Sequence, residues 1–278
     1  MEEKSFDFSE SEIKEIRDLI WRFSGIYIED QKTYLLSYKL KPRLKHLGVD
    51  PRTYIKLCKD HNQKEIDELL KIITIGETQF FRDKIQIDVF FDRILKKYLD
   101  ESGKKNLNFL SAGCATGEEP YTLSIYMLEK LPHISYKVVG VDINENFIQK
   151  AKDGTYSMYS VRGIPPYLLP KYFDRIDENT WKIKDIVAKN VFFEKINLMD
   201  KIRMRMLGKF DVIFCKNVII YFDERSRNQL AETFWSILNK GGYLVLGPAE
   251  RISVITEIFE PIFEGNMFFY KRTDMMEV

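Results

Sequence analysis

Asn108-Phe-Leu-Ser-Ala-Gly-Cys-Ala-Thr-Gly-Glu-Glu-Pro-Tyr121 is the stretch that decides the fold. It reads as a short apolar strand, a turn bracketed by Gly113 and Gly117, and then an amphipathic helix. Glycine lets the backbone bend and approach a ligand where a Cβ would obstruct it. Pro120 suits the first helical turn, where its missing N–H costs nothing. In an open parallel sheet, ligands bind beyond the carboxyl ends of strands, beside such a turn. A phosphate-binding turn feeds anions into a helix N-terminus. Here that position holds Glu118-Glu119, which would repel a pyrophosphate and welcome a cation.

Towards the C-terminus the pattern alternates. Strand Leu107–Ser111 leads to helix Pro120–Leu131, strand Lys137–Val141 and helix Glu145–Lys152, which implies a parallel sheet with right-handed crossovers. Asp142 ends the second strand, about thirty residues after Gly113. An acid there holds a ribose through its hydroxyls; the alternative is a cap for the next helix. Residues 153–195 break the alternation with Gly163, Pro165, Pro166 and Pro170, a short helix at Tyr167–Tyr172, and two small antiparallel strands at Trp181–Lys184 and Val191–Lys195. We place an inserted subdomain at about 163–195. Ile196–Leu198 then returns to the sheet, Phe210–Cys215 is a central strand stopping at Lys216-Asn217, and Asp223 caps a helix to Leu238. Strands Tyr243–Gly247 and Met267–Arg272 follow, the last in a hairpin with its neighbour.

Towards the N-terminus the chain reads as helices only. Ile13, Ile16, Ile20 and Phe23 recur at helical spacing after Ser9 or Ser11, and Gly25 stops the helix. A second helix runs from Asp30 to Leu47. A third starts at Asp50-Pro51, and a fourth near Asn62 carries Ile66, Leu69, Leu70 and Ile73. Lys32–Lys59 holds eight basic residues and one acid, Asp50. Lys39 and Arg43, like Lys41 and Lys45, stack four apart, so this face is either a solvated surface or a dock for an acidic partner. Tyr34 and Tyr38 are expected in the core. Residues 73–82 link to the sheet, with Phe80 and Phe81 buried, Arg82 at the junction, and a helix over Asp83–Leu99.

Bulk properties exclude several classes. The 278 residues are 45% hydrophobic and 31% charged, a globular balance, and a net charge of +1 gives no overall drive towards nucleic acid. The charged start Met1-Glu-Glu-Lys lacks an apolar h-region, so no secretory signal is expected, and no apolar run reaches membrane-spanning length. Cys58, Cys114 and Cys215, and His46, His61 and His133, are scattered, so reduced thiols and no metal are expected. The turn lacks Gly-x-Gly-x-x-Gly and Gly-Lys-Ser, which argues against NAD and a P-loop. S-adenosylmethionine fits better, with adenosine for the Asp142 region, a sulfonium cation and an ammonium at the methionine end.

Three motifs carry a resemblance: Ser111–Tyr121, Glu77-Thr-Gln-Phe-Phe-Arg82 and Phe210-Asp-Val-Ile-Phe-Cys-Lys-Asn-Val-Ile-Ile-Tyr-Phe222. Together, over nearly the whole chain, they resemble the chemotaxis receptor methyltransferases, the CheR family. The resemblance implies an α/β class I S-adenosylmethionine-dependent methyltransferase, Rossmann-like, with a small inserted β subdomain and an all-helical N-terminal domain. The implied division is 1–72 for receptor docking, 73–88 as a linker contributing to the cofactor site, and 89–278 for methyl transfer. It further implies glutamate methyl esters formed on cytoplasmic helices of membrane chemoreceptors, with S-adenosylhomocysteine released, by a cytoplasmic monomer recruited to receptor arrays without membrane insertion. Gly76, Thr78 and Arg82 would line the cofactor site from the linker. Gly113 and Glu119 would meet the methionine moiety, Asp142 the ribose, Asn197 and Leu198 the adenine, and Lys216 and Asn217 would lie beside the cofactor. Arg82 and Tyr221 would be catalytic, and Lys39, Lys41, Arg43 and Lys45 would dock substrate. The chain departs from the family at Gly76 (often Asn), Lys216 (often Arg) and Pro248-Ala249-Glu250 (often His-Ser-Glu). The hairpin at Asp174–Ile183 is short for binding a receptor's tethering peptide.

Overall fold

The computed structural model describes residues 6–252 and 258–274. It divides into two compact units: residues up to Ile75 with Tyr221–Ser226, and Gly76–Ile220 with the remainder.

The first unit holds four helices, α1 (Glu10–Ser24), α2 (Tyr34–Leu47), α3 (Pro51–Lys59) and α4 (Gln63–Ile73). Their starts follow local chemistry. Ser9 and Glu12 form a reciprocal capping box, Asp50 accepts from the Thr53 N–H, and Asn62 accepts from the Glu65 N–H. Gly25 and Gly48 end α1 and α2 in left-handed conformations. A separate 3-10 turn at Asp30–Lys32 precedes α2, where the sequence predicts one continuous helix.

Two expectations for α2 are corrected. Its buried stripe is Leu36, Leu40 and Leu44. Tyr34 and Tyr38 therefore fall on the opposite face, 68% and 79% exposed, and are not core. Nor is the basic face uniformly open. Arg43 makes a bidentate pair with buried Glu65 at 2.6 and 3.1 Å, Lys39 donates to the Ile73 carbonyl at 3.4 Å, and Lys41 pairs with Asp7 at 2.6 Å.

The second unit is built on a seven-stranded sheet. Its strands are β1 (Asn106–Ala112), β2 (Ser135–Asp142), β6 (Val191–Lys195), β7 (Phe210–Cys215), β8 (Leu238–Leu246), β9 (Phe259–Glu264) and β10 (Met267–Arg272), in the order β6-β2-β1-β7-β8-β10-β9. The first five are mutually parallel, and β10 runs antiparallel to β8 and β9. Strands covered on both faces must be apolar throughout. In β1, Leu107 and Phe109 join one core layer, and Leu110 and Ala112 join the other. Phe90 anchors the first layer, its ring 5.4 Å from Phe214 and 5.6 Å from Phe269. It lies in a π-helical turn (Phe90–Leu95) between α5 (Lys84–Val89) and α6 (Lys96–Ser102), where the sequence predicts one regular helix.

The insert also differs from expectation. Its sheet comprises β3 (Thr155–Ser157), β4 (Phe173–Arg175) and β5 (Thr180–Ile183), all antiparallel, so it begins before residue 163. Val191–Lys195 is not in it. That segment pairs in parallel with β2, because Val191 and Phe193 complete the main core. Helix α7 (Glu118–Lys130) is buried from Pro120 to Met127 rather than amphipathic. Its outer side is capped by Tyr121 Oη bonding the Ala151 carbonyl and Ser124 Oγ bonding the Val187 carbonyl.

Asp211, 2% exposed, accepts from Tyr98 Oη, the Asn108 N–H and Asn239 Nδ2, each at 2.9 Å, and pairs with Lys104. Asp211→Ala strands these donors and is expected to lower stability by roughly 3 kcal/mol. Urea unfolding should show this as a lower midpoint; a change below about 1 kcal/mol would contradict the assignment.

Candidate active site

From β1 the chain proceeds outward to β2 and β6 on one side, and to β7 and β8 on the other. Ligands of open α/β sheets sit at this reversal, beyond the carboxyl ends of the strands. The turn after β1 is tied to β2: Gly113 and Cys114 N–H groups both donate to the Val141 carbonyl, at 2.8 and 3.0 Å. Gly113 has φ +79° and a Cβ there would lie 2.5 Å from Val218. Glycine is therefore required on both backbone and packing grounds.

The two acids of the turn separate. Glu118 is 1% exposed and accepts from Thr116 Oγ1 at 2.7 Å; burial raises its carboxyl, opposed by Thr116 and Ser160. It serves the fold, which leaves Glu119 as the acid of the turn available to a ligand. Glu119 accepts from Ser111 Oγ at 2.7 Å through one oxygen. Burial pushes its carboxyl above the usual range, opposed by Lys216 and Ser111. Asp142, 8% exposed, is likewise raised by burial, against the N–H groups of Asn144 and Ala115 that donate to it at 2.9 Å. It is not the helix cap. Asn144 takes that role for α8 (Glu145–Asp153) by accepting from the Asn146 N–H.

The remaining residues arrive from three sides. The Ile196 N–H donates to the Asp142 carbonyl at 3.0 Å, which brings Asn197 and buried Leu198 beside that strand end; Asn197 Oδ1 itself accepts from the Met199 N–H. Lys216 is 7% exposed, and its Nζ donates to the Arg82 carbonyl at 3.1 Å and lies 3.0 Å from Asp83 Oδ2. Lys216 thereby joins the end of β7 to the segment carrying Thr78 and Arg82. The Arg82 guanidinium folds back onto the Glu77 carbonyl at 2.9 Å. Gly76 lies under Phe147, whose ring would be 2.6 Å from a Cβ, so this chain has a phenyl ring where an Asn side chain would need room. Tyr221 belongs to the first unit, where its carbonyl accepts from the Tyr27 N–H.

Sequence reasoning gave no role to Glu250. Its carboxylate, 3% exposed, accepts from the N–H groups of Asn217 and Gly247 at 2.7 Å and Val218 at 2.9 Å. It clamps the loop after β7 to the end of β8 and holds Asn217 at φ +58°. The available signal was an acid just past a strand end. Among the described residues, five non-glycine residues have positive φ. Four of them, Phe81, Asp83, Ala115 and Asn217, lie on the segments that meet here, the clustering of strain expected at a ligand site.

The site fits S-adenosylmethionine. Asn217 Oδ1 is buried without a hydrogen-bond partner, and the second Glu119 oxygen remains for a donor. Asp142 accepts two N–H groups, and a carboxylate has lone pairs for further hydroxyls. Among the described residues, no cluster of His, Cys, Asp or Glu suited to a metal occurs, no helix is long and apolar enough to cross a membrane, and the three cysteines are free and buried.

Fold and site together define a class I methyltransferase that binds S-adenosylmethionine. Residues 76–267 match the SAM-binding domain of CheR methyltransferases, and residues 11–74 match their all-alpha domain. The chain belongs to the CheR methyltransferase family. It is 33% identical over 257 residues to a chemotaxis protein methyltransferase of Borreliella burgdorferi, covering 89% of this chain and 90% of the relative. Chemotaxis protein methyltransferase 2 of Vibrio cholerae is 31% identical, covering 92% and 91%. A chemotaxis protein methyltransferase of Campylobacter jejuni is 32% identical, covering 97% and 99%.

Because the Glu119 carboxyl is raised, its contribution to ligand-free stability is full below the ordinary carboxylate range and is lost as pH rises through the raised value. Glu119→Gln should therefore raise the melting temperature of the ligand-free protein at neutral pH. It should also weaken S-adenosylhomocysteine binding by roughly 10- to 100-fold in calorimetry. Unchanged affinity would remove Glu119 from the site.

Proposed function

We propose that this methyltransferase acts in chemotaxis, forming methyl esters on glutamate side chains of chemoreceptor cytoplasmic helices. The observation that carries this reading is the pairing of chemistries at the strand ends: carboxylates for a cationic cofactor, and Arg82, whose guanidinium bonds a backbone carbonyl and so keeps its charge for a substrate carboxylate. When bound, S-adenosylmethionine supplies an activated methyl group on a sulfonium. Glu119 and the Gly113 turn hold its methionine end, Asp142 its ribose, and Asn197 and Leu198 its adenine, with Thr78, Lys216 and Asn217 alongside. The Gly76 contact is replaced by the Phe147 ring. A glutamate side chain is ionised at neutral pH, so this chain need supply no general base. Arg82 orients the carboxylate and Tyr221 shapes the place where the methyl group transfers.

Docking belongs to the helical unit. On α2, Tyr34 and Tyr38 are exposed next to Lys41 and Lys45, and α2 contains no acid. Exposed tyrosines beside basic residues suit an acidic amphipathic helix, with the rings as anchors. Lys39, Lys41 and Arg43 each bond within the unit, which leaves Lys45 as the cation of α2 for which this structure shows no such bond among the described residues.

Incubation with labelled S-adenosylmethionine and receptor-containing membranes should give protein label released by mild alkali; base-stable label, or label on nucleic acid, would overturn the reading. Arg82→Ala should reduce kcat/KM roughly 100-fold, with a smaller loss for Tyr221→Phe. Near wild-type turnover in both would remove them from the mechanism. Tyr38→Ser combined with Lys45→Glu should raise the KM for receptor and leave cofactor affinity unchanged; equal loss of both would count against docking by α2.

A further inference from the structure

The turn between β1 and α7 is gripped from outside the main sheet. Tyr156 of β3, 1% exposed, donates from its hydroxyl to the Thr116 carbonyl at 2.8 Å. Gly117 is glycine partly for this reason: a Cβ there would lie 2.9 Å from that hydroxyl. Four residues on, in α9 (Met158–Val161), the side chain of buried Ser160 opposes the burial that raises the Glu118 carboxyl. The Ser160 carbonyl accepts the Phe80 N–H at 3.0 Å. Gly163 lies against the Phe80 carbonyl, 2.5 Å from where its Cβ would be, and the Phe80 ring meets Tyr156 edge-to-face at 4.8 Å. One short piece of the inserted subdomain therefore touches both the glycine turn and the segment that carries Thr78 and Arg82.

We infer that the insert is mechanically part of the cofactor site, with Tyr156 and Ser160 as positioning residues that set the 113–117 turn against the 78–82 segment. The physical grounds are direct. The turn holds Ala115 in a strained conformation at φ +45°, and such a conformation persists only where its surroundings over-determine it. Its carbonyl at Thr116 is buried within the protein and would lose its partner if β3 shifted. β3 is hydrogen-bonded in register with β5, Tyr156 opposite Trp181, so displacement of the insert sheet displaces the hydroxyl.

The inference rests on the reading that the Gly113–Gly117 turn holds S-adenosylmethionine, and the experiment separates the two. Titration calorimetry of the full chain with S-adenosylhomocysteine is compared for wild type, Tyr156→Phe, Ser160→Ala and Gly113→Val, with melting temperatures measured in parallel. Tyr156→Phe keeps the ring and deletes one hydrogen bond. It should weaken binding roughly two- to tenfold, lower the melting temperature by only a few degrees as the carbonyl loses its partner, and raise the KM for S-adenosylmethionine without lowering kcat at saturation. Ser160→Ala should act in the same direction. Should Tyr156→Phe prove unstable, Ser160→Ala alone decides. Wild-type affinity in the folded insert variants, with binding lost in Gly113→Val, overturns the positioning role and leaves the site intact. Wild-type affinity in Gly113→Val overturns the site assignment and the inference with it.

Discussion

One carbonyl, that of Val141, holds the site together by accepting the N–H groups of both Gly113 and Cys114. Parallel strands buried on both faces leave backbone groups at their carboxyl ends that must find partners without water. Here the end of β2 satisfies the turn after β1. That contact brings the Ala115 N–H onto the Asp142 carboxylate and leaves Gly113 facing Val218 from the end of β7. Three adjacent strand ends are thereby locked, and the crevice at the sheet's reversal follows from them.

Around that lock the charges are arranged at a cost. Glu119 and Asp142 are buried enough to raise their carboxyls, and Lys216 is buried close by with its ammonium on the Arg82 carbonyl and Asp83. Buried carboxylates without a full complement of partners destabilise a protein unless a ligand completes them. In the proposed function a cationic methyl donor would do so, whereas a phosphate would add repulsion. Glu250 works differently: its carboxylate is consumed by backbone amides and shapes the loop after β7.

Fold class was legible because it depends on period. Apolar runs at β1, β2 and β7, separated by helical repeats, leave few ways to bury both faces of each strand, and the observed sheet matches that reading. Capping residues likewise marked the helix starts at Ser9, Asp50 and Asn62. The errors have a common origin. Val191–Lys195 looks the same whether it pairs with the insert or with β2, since a short alternating run does not name its partner. Tyr34 and Tyr38 sit at helical spacing, yet Leu36, Leu40 and Leu44 form the competing stripe that wins the core. Arg43 reads as surface charge until Glu65 of another helix meets it.

The sequence by itself determined the alternation of elements, the glycines of the turn and the acids that follow it, because these express local backbone and periodic constraints. Only the tertiary structure decided that Glu118 bonds Thr116 while Glu119 bonds Ser111, that Asp142 binds the turn while Asn144 caps α8, and that Glu250 and Tyr156 grip loops far from them in sequence. Those outcomes depend on which carbonyls and amides are left unpaired once the strands are packed. That quantity exists only after long-range contacts form.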